Sequence, residues 1–126
     1  MSVVVDASSL LAFLNDEPGA DAVWSALAGG LVSTVNWSEV VQKSLQREAD
    51  VVGMRQDFSE AGLSFMPFTA EQSEIAAELW QSTRRFGLSL ADRACLALAR
   101  ERQLSVLTAD RAWTEMDLGF DVRLIR

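Results

Sequence analysis

The sequence contains no histidine among its 126 residues and only one cysteine. The lack of histidine excludes Ser-His-Asp and Cys-His catalysis, a histidine general base and histidine-ligated zinc, whatever the fold. Cys95 cannot form an intramolecular disulfide, and its neighbours Ala94, Leu96 and Leu98 favour a small buried hydrophobic residue over a nucleophile. A lone buried thiol fits a reducing compartment.

Long apolar runs are also missing. The longest runs span only a few residues, and the N-terminus opens directly on a strand pattern without a basic region and an apolar segment. We therefore expect neither a membrane span nor a signal peptide, and a cytoplasmic protein. With 49% hydrophobic and 23% charged residues, residues 1–126 have enough apolar material for one core and are predicted to form a single domain.

Basic side chains are scarce, with 11 against 18 acidic ones and a net charge of −7. Non-specific binding to nucleic acid depends on many Lys and Arg contacts to phosphate, so this balance argues against a simple nucleic-acid coat protein. It does not exclude a nuclease, because clustered metal ligands contribute to the negative total and bound divalent ions reverse the sign locally.

Hydrophobic periodicity and chain-breaking residues predict alternating strands and helices in the order β-α-α-β-α-α-β-α-α-β-α-β. The predicted strands are residues 2–6, 31–33, 63–68, 104–107 and 122–125. Strands separated by helices indicate parallel pairing. The predicted fold class is therefore α/β, a three-layer α/β/α sandwich with a mostly parallel sheet of about five strands.

Four acidic residues lie where predicted strands run into helices: Asp6, Glu39, Asp92 and Asp110. In an open parallel sheet these strand ends share one edge, so residues far apart in sequence could form a single carboxylate cluster. A site made only of carboxylates suits a hard cation such as Mg²⁺ or Mn²⁺, and such sites commonly serve phosphate chemistry.

Each acid also has a simpler explanation as a helix cap. Glu39 lies three residues after Asn36 and Asp92 three after Ser89, which is the spacing of a capping box, and the other two acids could cap the helices that follow them. The co-occurrence of the four acids favours a metal site over four separate caps. Carboxylates about 4 Å apart repel each other by roughly 4 kcal/mol at an effective dielectric near 20, so a cluster of them needs a metal or a proton.

Arginines near two of the acids are candidates for contacting substrate phosphates. Arg84, Arg85 and Arg93 precede or flank the start of the predicted helix that carries Asp92, and Arg111 follows the last acid. Ordinary surface solvation is the alternative.

Two of the four tryptophans lie near proposed ligands. Trp37 and Trp113 are each within three residues of an acid and could stack an unpaired base, whereas Trp24 and Trp80 follow apolar helical stripes. Core packing is the favoured interpretation for all four, and most strongly for the last two.

The residues that follow these strands resemble those of a known family. Val3–Ser8, the lone Glu39, Gly87–Ala99 and Thr108–Trp113 look like a PIN-domain protein, and more narrowly like the VapC-type ribonuclease toxins of bacterial type II toxin–antitoxin pairs. The resemblance spans nearly the whole chain. Its most specific part is residues 88–99 together with the Thr-Ala-Asp at 108–110.

This resemblance implies a Mg²⁺- or Mn²⁺-dependent endoribonuclease whose catalytic and metal-binding residues are Asp6, Glu39, Asp92 and Asp110. Asp6 and Asp92 are the foremost metal ligands, and the other two could hold outer-shell waters, because Mg²⁺ usually keeps several. Ser8, Arg93, Thr108 and Arg111 are candidates for substrate contact, although Ser8 and Thr108 could equally be local caps.

The resemblance also implies protein partners. These are a VapB-type antitoxin that covers the active site and a second copy of the toxin in a homodimer. Amphipathic helices with Leu, Phe and Trp could supply both surfaces, and the acidic charge would favour a partner with a basic tail.

Two alternatives belong to other functional classes. A receiver-like phosphoacceptor domain would have paired acids after its first strand and a lysine near its pocket, whereas this chain has a single aspartate there and Lys43 as its only lysine. A catalytically silent PIN-like module, whose acids serve only as caps, would bind a protein partner.

Overall fold

The structure is a computed structural model that describes residues 2–126. Five strands form one sheet in the order β3-β2-β1-β4-β5, with every neighbouring pair parallel. The strands are β1 (Val3–Val5), β2 (Leu31–Ser33), β3 (Ser64–Met66), β4 (Ser105–Thr108) and β5 (Val122–Leu124). The α-helices are α1 (Ala7–Leu14), α2 (Ala20–Leu27), α3 (Thr34–Gln46), α4 (Met54–Glu60), α5 (Ala70–Thr83) and α6 (Leu90–Arg102), with short 3₁₀ helices at Arg84–Phe86 and Arg111–Glu115.

The side chains of β1 alternate between two cores, one on each face of the sheet. Val3 and Val5 pack with residues of α1, α2 and α4, whereas Val4 packs with residues of α5 and α6. The three valines are buried, as expected for a central parallel strand that is covered on both faces. The predicted α/β sandwich with a parallel sheet of five strands is therefore confirmed, as is the order of its elements.

The start of α3 differs from the predicted capping box. Ser33, and not Asn36, is the N-cap, and its hydroxyl accepts from the backbone N–H of Val35. Asn36 lies inside the helix and is buried, and its Nδ2 donates to the carbonyl of Ala91, 2.8 Å away. Glu39 consequently lies in the second turn of α3 and does not cap the helix.

The start of α6 has the predicted capping box. The Ser89 hydroxyl accepts from the Asp92 backbone N–H, and the Asp92 carboxylate accepts from the Ser89 N–H. This reciprocal pair satisfies two backbone donors that a helix start leaves without partners. The capping box fixes where α6 begins. Residues Ala94–Ala99 of this helix are all buried, and most of them pack in the core that contains Val4.

None of the described helices is both long and apolar enough to cross a membrane.

Gly62 marks a close approach of the loop before β3 to the end of α2. Its φ is +106°, and an added Cβ would lie 2.7 Å from the Cα of Ala28. Gly53, the N-cap of α4, also has a positive φ, +77°, but an added Cβ would meet nothing within 4 Å. The two glycines thus share an unusual backbone conformation and differ in the space around them.

We expect Gly53→Ala to lower the free energy of unfolding by about 1 kcal/mol, the cost of a left-handed conformation for an L-residue. Gly62→Ala should cost roughly 2 kcal/mol more, because the new methyl group also has to displace backbone. Urea unfolding of the two variants measures the difference. Equal losses would show that the contact with Ala28 does not constrain the fold.

Candidate active site

An acidic cleft of about 270 Å³ opens at the carboxyl ends of the central strands. It is lined by residues of α1, α3 and α6 and of the segments before α1 and after α1, β4 and β5: Asp6, Ala7, Ser8, Leu11, Glu17, Glu39, Lys43, Asp92, Asp110, Trp113 and Arg126. The structure therefore brings all four predicted acids to one cleft, together with Ser8. Thr108 lies directly behind it, hydrogen-bonded to Asp6.

Asp6 lies at the floor of the cleft and is only 4% exposed. It is the N-cap of α1, and its Oδ1 accepts from the Ser9 backbone N–H at 2.8 Å. Its Oδ2 accepts from the Thr108 hydroxyl at 2.6 Å, and the Ser8 hydroxyl lies 2.8 Å from both carboxylate oxygens. The carboxylate thus ties together the end of β1, the start of α1 and the end of β4.

Burial raises the pKa of the Asp6 carboxyl above its ordinary value, because desolvation disfavours the charged form. Hydrogen bonds from Thr108, Ser9 and Ser8 act in the opposite direction without cancelling this effect. In the absence of a cation, the charged form of Asp6 therefore lowers the stability of the fold.

Asp92 and Asp110 combine a capping role with a place in the cleft. Asp92 accepts from Ser89 N–H through Oδ2, and Asp110 accepts from Ala112 N–H through Oδ1, both at 3.0 Å. The other oxygen of each carboxylate makes no hydrogen bond within the described residues. Capping and ligand binding are therefore compatible for both acids.

Glu39 reaches the cleft from α3 and forms an ion pair with Lys43, one turn further along, at 3.6 Å. The hydrogen bond from Asn36 to Ala91 joins α3 to the first turn of α6, next to Asp92. This contact holds the two helices that carry Glu39 and Asp92 against each other.

Cys95 is buried on α6, where the charges of three of the acids act on its thiol. Burial raises the pKa of its thiol well above the ordinary value, and the negative charges of Asp6, Asp92 and Glu39 raise it further. The predicted role of Cys95 as a small buried residue is confirmed.

The donor set suits a hard divalent cation, because every ligand-capable group in the cleft is a carboxylate or hydroxyl oxygen. Within residues 2–126, however, no three acidic, histidine or cysteine side chains converge closely enough to form a ready-made metal cage. Mg²⁺ is bound through one or two carboxylates and keeps several waters. The wider spacing of these acids, with unpaired oxygens on Asp92 and Asp110, fits that mode.

The arginines singled out in the sequence do not line the cleft. Arg93 donates from Nη1 to the Ala76 carbonyl of α5 at 2.8 Å, so it joins α6 to α5. The guanidinium groups of Arg84 and Arg85 lie over the rings of Trp80 and Phe86. Arg111 is exposed outside the cleft lining, so a direct place beside the carboxylates is not found for any of them.

The burial of the four tryptophan side chains differs from the prediction. Trp113 is buried beside the cleft, and Trp37 packs edge-on against Phe58 and Phe65. Trp24 and Trp80 are 58% and 48% exposed, so their assignment to the core was wrong. An apolar helical stripe predicts a buried face without indicating whether the same chain covers it.

Sequence reasoning missed three cleft residues: Glu17, Lys43 as a neighbour of the acids, and Arg126. Lys43 follows Glu39 by four positions, so helical spacing could have indicated their pairing. Arg126 donates from Nη1 to Glu17 Oε1 and to the Pro18 carbonyl, at 3.1 and 3.0 Å. Those residues are more than 100 positions apart, and no local pattern joins them.

We expect Asp6→Asn to stabilise the metal-free protein increasingly as the pH rises. The folded-state pKa of Asp6 is raised, so between its unfolded value of about 3.9 and that higher value the folded state binds more protons. The free energy of unfolding of the wild type therefore falls as the pH rises through that window. The asparagine variant has no carboxyl group at this position and does not show this fall. Urea unfolding in EDTA, as a function of pH, measures the difference; a difference independent of pH would contradict it.

The PIN domain family profile matches residues 3–118 of this chain. No functionally curated protein matches the sequence at a significant level.

Solved structures with the same fold include toxins and their complexes. Mycobacterium tuberculosis VapC20, described as a sarcin–ricin-loop-cleaving toxin, is 16% identical, with a TM-score of 0.74 over 90% of this chain and 93% of that one. DNA-bound VapBC from Salmonella typhimurium is 12% identical, with a TM-score of 0.75 over 100% and 99% of the two chains. VapBC-1 from nontypeable Haemophilus influenzae is 10% identical, with a TM-score of 0.73 over 99% and 98% of the two chains.

The predicted resemblance is thus confirmed at the level of family and fold. With a profile that covers nearly its whole length and a parallel sheet that gathers four acids at one edge, this chain belongs to the PIN-domain family.

Proposed function

We propose that this protein is a VapC-type endoribonuclease that hydrolyses RNA phosphodiester bonds with the help of Mg²⁺ or Mn²⁺. The observation that carries the proposal is the cleft itself, in which acids from four separate parts of the chain surround the buried Asp6. Helix capping explains the positions of Asp6, Asp92 and Asp110 one by one, and it does not explain that of Glu39. It does not explain why all four face the same opening.

The choice of RNA rests on the solved structures. The fold is shared with VapC20, a toxin described as cleaving the sarcin–ricin loop, and with chains from several VapBC complexes. The described target of VapC20 supports RNA as the substrate class.

The residues of the cleft divide the work as follows. Asp6, fixed by Ser9, Ser8 and Thr108, would be the oriented ligand of a divalent cation, and the unpaired oxygens of Asp92 and Asp110 would be available to the cation or to its waters. A divalent cation held there would activate water and neutralise charge on the phosphate. Glu39, which lines the cleft beside Lys43, would hold an outer-shell water.

We expect the purified protein, free of antitoxin, to give discrete products from total cellular RNA with Mg²⁺ or Mn²⁺ and none with EDTA. Asp6→Asn and Asp92→Asn should each lower the cleavage rate by at least about 100-fold, because each removes a charge that the metal-assisted step needs. Gel analysis of the products measures the loss.

Asp21→Asn is the matched control, because Asp21 is an exposed acid in the first turn of α2, outside the cleft. It should cleave like the wild type. No cleavage by the wild type with any metal, with folded variants indistinguishable from it, would favour the catalytically silent binding module instead.

A VapB-type antitoxin is the proposed partner, and the chain offers an apolar groove for it. The groove encloses about 310 Å³ between α1, α2 and α4, and it is lined by Phe13, Leu14, Trp24, Leu27, Met54, Asp57, Phe58 and Ala61. Trp24 stacks on Phe13 and is 58% exposed. A half-exposed tryptophan on an apolar groove suits the apolar face of an amphipathic partner helix.

We expect Trp24→Glu to weaken binding of the cognate antitoxin by about 30-fold or more, as for a hot-spot aromatic residue, without changing RNA cleavage. Trp80→Glu is the control, because Trp80 is 48% exposed on α5, away from the groove. Calorimetric titration of each variant with the antitoxin measures the effect. Equal affinities for both variants would place the antitoxin elsewhere.

The homodimer is also a proposal. Large apolar side chains that the groove does not use remain exposed on several helices and the loop before α4: Leu45, Val52, Trp80 and Leu90. We expect sedimentation of the purified chain to show a dimer, and a monomer would contradict this proposal.

A further inference from the structure

Both ion pairs found in residues 2–126 lie at the acidic cleft. Lys43 Nζ is 3.6 Å from Glu39 Oε2, and Arg126 Nη1 is 3.1 Å from Glu17 Oε1. All four of these side chains line the cleft. Nine other basic residues are distributed over the molecule, and none of them has a carboxylate within 4 Å in this part of the chain. Pairing of charges is thus confined to the place where the carboxylates collect.

A polyanionic substrate meets an unfavourable charge balance in this cleft. Two cations face five carboxylates there, in a chain whose net charge is −7. Backbone phosphates of a nucleic acid need cationic or N–H partners, because phosphate contacts dominate affinity. Of the arginines that the sequence suggested, Arg93 bonds to Ala76, Arg84 and Arg85 lie over aromatic rings, and Arg111 lies outside the cleft lining.

The two cleft cations can reach a substrate without rearrangement of the backbone. The Lys43 side chain is 51% exposed, and its distance to Glu39 is longer than a hydrogen bond. Arg126 is 37% exposed and uses Nη1 for both of its contacts, to Glu17 and to the Pro18 carbonyl. Its Nη2 therefore stays available for another acceptor, and a guanidinium is suited to bridging two of them.

We propose that Lys43 and Arg126 bind backbone phosphates of the RNA on either side of the bond that is cut. The proposal rests on the proposed nuclease function and adds the residues that hold the substrate. Lys43 stands on α3 and Arg126 follows β5, so the two cations reach the cleft from different elements of the fold. Glu39 and Glu17 occupy, in the free protein, the positions that phosphate oxygens take in the complex.

Removal of either cation should change two affinities in opposite directions. A glutamine at position 43 or 126 makes the cleft more negative, which strengthens the attraction for a divalent cation and weakens it for RNA. Damage to the fold would weaken both. The pair of measurements therefore separates a substrate contact from a structural role of the ion pair.

The experiment compares Lys43→Gln, Arg126→Gln and the control Arg55→Gln, an exposed arginine on α4 outside the cleft. RNA binding is measured by fluorescence anisotropy of a labelled single-stranded oligonucleotide, with Mg²⁺, in an Asp92→Asn background that prevents cleavage. Mn²⁺ binding is measured by calorimetry with Asp92 intact.

We expect each cleft variant to bind RNA roughly five- to tenfold more weakly than the control variant, with a salt dependence of log K reduced by about 0.7 for each lost contact. Mn²⁺ affinity should rise roughly threefold. Cleft variants that bind RNA like the Arg55 variant, variants that bind both ligands more weakly, or RNA binding too weak to detect in every chain would each overturn the proposal.

Failure of the nuclease function gives a different result. If the wild type binds RNA and releases it intact, and the cleft variants lose this binding, the proposed nuclease activity is refuted and the proposed phosphate contacts are supported. If the Lys43 and Arg126 variants cut subsaturating RNA at the wild-type rate, the proposed phosphate contacts are refuted and the proposed nuclease activity is supported.

Discussion

The burial of the Asp6 carboxylate is the constraint on which the site and much of the fold depend. Its oxygens are satisfied by the start of α1 and by Thr108 at the end of β4, so the two strands and the helix must meet at this point. The Ser8 hydroxyl reinforces the junction, since it also accepts from the Ala109 backbone N–H at 3.0 Å. A buried acid without these partners would be strongly destabilising.

The parallel sheet brings the other acids to the same edge as this junction. Because β1, β2 and β4 are neighbours that run in the same direction, the segments that leave them open onto the same edge. Asp6 and Asp110 follow two of these strands directly, while α3 and α6 bring Glu39 and Asp92 to the same place. Three of these acids, Asp6, Asp92 and Asp110, also help to cap the helices that begin at this edge.

The sequence predicts this arrangement well where local patterns decide it. The buried valines of β1 and the Ser89–Asp92 capping box follow from alternation and from spacing, which short-range physics controls. The start of α3 was misplaced because Ser33 and Asn36 are both good caps, and a tertiary hydrogen bond to Ala91 draws Asn36 into the helix. The position of Arg126 beside Glu17 depends on how the last strand closes the sheet, which no local pattern contains.

The position of Cys95 beneath the acids has a consequence for the redox behaviour of the protein. Reaction with oxidants or with a second thiol requires the thiolate, and both burial and three neighbouring negative charges disfavour that form here. The folded chain should consequently resist peroxide, alkylating reagents and disulfide-linked association. Its only sulfhydryl becomes reactive when the fold opens, so chemical labelling of Cys95 reports unfolding without any added probe.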